Sequence, residues 1–193
     1  MKGRRREWRA VRGIETSRLV ESRVEVRGGA EYTPFSMLND DILRRLRHAL
    51  EIDDAHTARL LSTPEEPVTP EHALLCLDAS SDEDCPPIWL ARFLDALVLE
   101  RRGPRDPSAP PLPPPSEEIS NNMVLKKIRI ALVYKEEEML ETIARGGMKF
   151  SPAELTALFR KPGHKHFRSC GDELLNAFLT GLTERLRSPE AAS

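Results

Sequence analysis

With 193 residues, 39% of them hydrophobic and 31% charged, the chain can form one domain or two small ones. No apolar run approaches the roughly 20 residues of a membrane span. The net charge of −2 is unevenly spread, with nine Lys/Arg against five Glu in residues 1–36 and 20 basic against 26 acidic residues thereafter. An acidic remainder with only 5% aromatics in the chain disfavours a nucleic-acid binder, and three cysteines do not make a disulfide framework.

Residues 1–36 open on Arg4, Arg5 and Arg6, close on Gly28-Gly29 and sustain no helical period. They read as a basic, disordered extension, with only weak strand alternation at Val20, Val24 and Val26. No apolar signal segment comes after the basic start, so the protein is expected in the cytoplasm. Met37 stands just before the first clear element, and folding of residues 37–187 is expected not to need the extension.

Residues 39–50 predict a helix, with Asn39 as its N-cap and Asp40 and Asp41 in its first turn. Ile42, Leu43, Leu46, Ala49 and Leu50 share one arc of it. A second helix is expected from about Asp53 to Leu61. Thr69-Pro70-Glu71 gives the start signature of a third, over about 70–78. Leu90, Phe93, Leu94 and Leu97 then mark a strong fourth helix at i, i+3, i+4, i+7 spacing.

Residues 103–118 hold seven prolines in sixteen positions and read as a polyproline linker. Residues 104–115 of it could span roughly 37 Å. Its P-x-x-P matches are of the kind any such spacer makes.

Beyond the linker the first half recurs. Residues 121–132 repeat 39–50 at an offset of 82, with five of twelve positions identical and Arg44/Lys126 and Arg45/Lys127 keeping their charge. Val124, Leu125, Ile128, Ala131 and Leu132 form the apolar arc. Met139, Leu140 and Ile143 mark the next helix (about 135–144), Ser151-Pro152 answers Thr69-Pro70, and three inserted residues shift the offset to 85. Leu175, Phe178, Leu179 and Leu182 then match Leu90, Phe93, Leu94 and Leu97, while Cys170 matches Cys85. The fold class expected is all-α: two homologous four-helix units, 37–102 and 119–187, joined by the Pro-rich linker 103–118, with 188–193 a frayed tail.

Aligned in this way, the chain resembles the YehS-like family, bacterial proteins built from two copies of one small domain of unknown function. The resemblance covers about residues 37–187. It rests on Leu38-Asn39-Asp40-Asp41-Ile42-Leu43-Arg44, on 121–131 and on His164-Lys165-His166-Phe167-Arg168-Ser169-Cys170-Gly171-Asp172. The family pattern often has Asn at the place of His166, and the chain departs from it there. The resemblance implies a duplicated helical fold and a bacterial source, and no activity.

Two sets of residues could carry chemistry. Arg44, Arg45, Lys126 and Lys127, with Lys165, Arg168 and Arg129 nearby in sequence or pattern, form candidate anion-binding surfaces. The loop His164–Asp172 offers His164, His166, Cys170 and Asp172 as ligands or as a thiol site, since a helix N-terminus lowers a thiol pKa and a histidine can act as base. The spacing matches no standard zinc pattern, and Cys85 in the other copy has no histidine beside it. A small core residue is therefore the simpler reading of both cysteines. Arg47 and Arg129, each bordering an apolar arc, are expected to pair with a carboxylate or a helix end within their own unit.

No catalytic motif, metal site or cofactor is implied. The leading expectation is a non-enzymatic module that binds a protein or a small anionic ligand in a groove formed by the two units, away from any membrane. An RNA- or nucleotide-phosphate binder using Arg44/Arg45 and Lys126/Lys127 ranks second. A cysteine- or metal-dependent enzyme centred on His164–Asp172 ranks third. Nothing in the sequence fixes the oligomeric state.

Overall fold

A computed structural model describes residues 37–81, 85–104, 106, 108 and 114–187. The expectations for residues 1–36, for 188–193 and for much of the linker lie outside the described residues. Among those described there are eight helices and no strand, so the all-α reading is correct. The first copy forms α1 (Asn39–Leu50), α2 (Asp54–Leu61), α3 (Pro70–Leu77) and α4 (Ile88–Arg102). The second forms α5 (Asn121–Leu132), α6 (Glu136–Arg145), α7 (Pro152–Leu158) and α8 (Asp172–Arg187).

Local signals start the short helices where the sequence places them. Asp53 caps α2 by accepting from His56 N, Thr69 caps α3 through His72 N, and Ser151 caps α7 through Glu154 N, with Pro70 and Pro152 in the first turns. Asn39 is a correction. The N-cap of α1 is Leu38, and Asn39 is already helical. Its amide instead donates to the carbonyls of Pro87 at 3.0 Å and Glu117 at 3.2 Å, tying α1 to the start of α4 and to the segment before α5. Asn121 opens α5, with Ser120 as its N-cap. Asn121 donates to the Cys170 carbonyl and to Asp172 Oδ1 (3.2 and 2.6 Å), at the start of α8.

The apolar arcs are buried except at their ends, where Leu50 and Leu132 are partly buried. Ile42, Leu43, Leu46 and Ala49 on α1 and Val124, Leu125, Ile128 and Ala131 on α5 are all at most 2% exposed. Contacts between helices show how the copies fit. Helix α1 packs on α4 of its own copy and on α8 of the other; α5 packs on α8 of its own copy and on α4 of the other. The four make a closed ring, α1–α4–α5–α8. Helix α2, backed by α3, lies outside α4, and α6 with α7 lies against α8. The pattern is unchanged when the copies are exchanged, as a duplication requires. One apolar cluster runs through both four-helix units, from Ile42 and Phe93 to Ile128 and Phe178.

One close backbone approach has no counterpart in the first copy. Helices α6 and α8 touch backbone to backbone: a Cβ on Gly181 would lie 1.8 Å from the Thr142 carbonyl oxygen, and one on Gly146 would lie 1.8 Å from that of Ala177. The aligned positions in the first copy are Ala96 and Pro64, so α2 and α4 do not meet through glycines.

Candidate ligand groove at the seam between the copies

The ring has two seams where helices of different copies meet, α1–α8 and α4–α5. The alignment makes them the same seam twice.

The α1–α8 seam is bridged by polar contacts, and the opening of about 500 Å³ beside them is lined by charged groups including Arg44, Arg47, Glu51 and Arg187. Arg45 donates to Asn176 Oδ1 at 2.7 Å, the Asn176 carbonyl at 3.2 Å and Thr180 Oγ1 at 2.9 Å. Arg187 donates to the His48 carbonyl at 2.9 Å and lies 3.1 Å from His48 Nδ1, with Glu51 3.9 Å away. Arg44 pairs with Asp40 at 2.8 Å and Asp41 at 3.8 Å.

At the α4–α5 seam, among the described residues, only the Arg45 anchor has an equivalent. Lys127, aligned with Arg45, pairs with Asp95, aligned with Thr180, at 2.6 Å. The other places have changed character. Asp40 and Asp41 are matched by Asn122 and Met123, so Lys126 lacks the acids that hold Arg44. His48 and Glu51 are matched by Ile130 and Val133, so Arg102 lacks the partners of Arg187. Lys126 and Arg102 are both exposed, and neither has a hydrogen bond or ion pair among the described residues. Between them lies a groove of about 730 Å³, within the usual range for small-molecule sites. Ala91, Val98, Met123 and Ile130 give it apolar walls, and linker residues including Pro104, Pro114 and Pro115 border it. Met123 and Ile130 remain 42% and 41% exposed.

The remaining residues singled out from sequence do not converge here. Arg129 donates through Nε to the Tyr134 carbonyl at 3.1 Å and lies over the Phe159 ring at 4.8 Å; Arg47 pairs with Asp54. Both contacts are of the structural kind expected for this pair. Arg168 is held by Glu154 at 2.6 Å and stacks on Phe150, while Lys165 is exposed on the 161–171 loop. Hydrogen bonds from Ser151 and Arg168 draw the Glu154 carboxyl down to about 2.

In the 161–171 loop the thiol reading needs correction. Cys170 is 4% exposed, and burial, reinforced by Asp172, pushes its pKa up to about 12 instead of down. Its backbone N–H donates to Asn122 Oδ1 at 2.9 Å, and the Asn122 amide holds the carbonyls of Leu158 and Arg168 at 2.8 and 2.9 Å. Asn122 is thus the anchor of the loop, a role no local pattern announced. Asp172 accepts from Asn121 and from Met37 N at 3.2 Å. His164 lies beside His166, and Arg160 approaches its ring at 3.2 Å. Among the described residues no three His, Cys, Asp or Glu side chains come together as a metal site. Nor is any helix among them long and apolar enough to cross a membrane.

The fold and groove define a duplicated all-helical protein whose two copies share one core and form a largely apolar groove at one of their seams. By sequence the chain belongs to the family described as "Protein of unknown function (DUF1456)", whose pattern matches residues 39–103 and again 121–188. It is 40% identical over 152 residues to the "Uncharacterized protein YehS" of Escherichia coli (strain K12), a match covering 77% of this chain and 96% of that protein. No solved structure matches.

Proposed function

We propose that the protein is a non-enzymatic binding module for a small ligand, held in the groove between α4 and α5. One observation carries this reading: the same seam, present twice, is bridged by hydrogen bonds beside a smaller, charge-lined opening of about 500 Å³ in one place and is a largely apolar groove of about 730 Å³ in the other. A groove walled by both copies also lets an occupant bear on how they pack, which suits a regulatory role.

Competing readings have less support. Of the charges that would grip a phosphate backbone, Arg44, Arg45 and Lys127 are engaged within the molecule, and only Lys126 of that set is free of a partner among the described residues. For a cysteine enzyme the Cys170 thiol is protonated and buried at neutral pH.

A thermal-shift screen of small acids, neutral compounds and amines against the full chain tests the proposal. Compounds that raise the melting temperature should lose their effect in Ile130→Trp, which fills the groove. Stabilisation that survives Ile130→Trp, or thiol-dependent turnover that disappears in Cys170→Ala, would overturn it.

A further inference from the structure

We infer that the groove takes an anionic amphiphile, a short alkyl chain ending in one carboxylate or phosphate head. The inference rests on the groove being the ligand site and adds the chemistry of the ligand. Relative to the α1–α8 seam, the α4–α5 seam has exchanged its hydrogen-bonding groups for apolar ones and kept its cations. Arg44 and Arg187 are satisfied by Asp40, Asp41 and His48; at the positions aligned with those partners stand Asn122, Met123 and Ile130, none of them an acid. Among the described residues no acid stands at these aligned positions to neutralise the two cations, Lys126 and Arg102, and a ligand can supply one. Met123 and Ile130 offer their exposed surface to an alkyl chain, which gains by leaving water. A neutral chain would gain only that part. A chain with a cationic head would meet two like charges, with Glu118 the one carboxylate on the wall not paired to a lysine.

Titration calorimetry of the full chain with decanoate, decyl phosphate, decanol and decylammonium separates the possibilities. Decanoate or decyl phosphate should bind at least about tenfold more tightly than decanol, the scale of one charge-assisted hydrogen bond. Lys126→Glu and Arg102→Glu, both at exposed positions and so harmless to folding, should each weaken the acid about tenfold and together favour decylammonium. Decanol binding as well as decanoate, with both lost in Ile130→Trp, would overturn the anion assignment and leave the groove a ligand site. Failure of all four to bind would overturn both. A chain that sediments as a dimer, becomes a monomer in Ile130→Glu and is indifferent to decanoate would make a second copy the occupant and equally overturn the inference.

Discussion

The two cysteines at matching places show how much a single residue's surroundings decide. Cys85 and Cys170 both stand before the last helix of a copy, and burial pushes each thiol up to about 12, with Asp40 and Asp172 adding to the effect. In the folded protein both should stay unreactive toward a thiol reagent at pH 8 and react at once in denaturant; fast labelling of the native chain would contradict this. The linkage has a definite sign. Unfolded thiols lose their protons near pH 9 while the folded ones hold theirs to about 12, so this contribution to stability is complete below pH 9 and declines as pH rises from 9 to 12. Chemical denaturation across that range, against a Cys85→Ala/Cys170→Ala control, measures it. Gly181 makes a second residue-scale test. A methyl group there would sit 1.8 Å from the Thr142 carbonyl oxygen, so Gly181→Ala must push α6 and α8 apart and should cost at least about 2 kcal/mol. Ala96, its counterpart, already carries that methyl, and Ala96→Gly should cost only about 1 kcal/mol.

Helix ends carry the next set of expectations. Helices α1 and α5 both stop on a left-handed residue, Glu51 at φ 54° and Val133 at φ 60°, whose following residues return hydrogen bonds to Arg47 and Arg129. A β-branched residue in that conformation is strained, and the Val133 side chain is 57% exposed, so it recovers little by packing. Val133→Gly should therefore stabilise the fold by about 1 kcal/mol in urea unfolding; destabilisation would show that Val133 packs in a way its exposure conceals. Helix starts and arcs were legible because they are local. Thr69-Pro70 and Ser151-Pro152 announce their helices, and the i, i+3, i+4 spacing picks out Leu90, Phe93, Leu94 and Leu97 as buried. Asn39 misled because its amide is used across the fold, at Pro87 and Glu117, where no local rule can see it.

At the scale of the molecule, the copies are not two beads on a string. Because α1 packs on α8 and α5 on α4, the core passes through both, and heat should unfold residues 37–187 in one transition. Lys127→Ala leaves the half-buried Asp95 carboxylate without its partner and should lower stability by about 1–2 kcal/mol while keeping that transition single; two separate calorimetric peaks would refute the shared core. The ring itself could not be read from the chain, since the arcs of α1 and α5 are equally apolar and nothing in them says which last helix each will meet. The groove was half visible. Pairs such as Asp41/Met123 and His48/Ile130 stand out once the copies are aligned, but their weight depends on Arg102 and Arg187 lying opposite, which only the fold provides. The most direct test of the groove as the ligand site is a methyl NMR titration of the full chain with decanoate. Shifts should concentrate at Met123, Ile130 and Val98, leaving Leu155 and Leu158 unmoved; shifts centred on α7 and the 161–171 loop would contradict it.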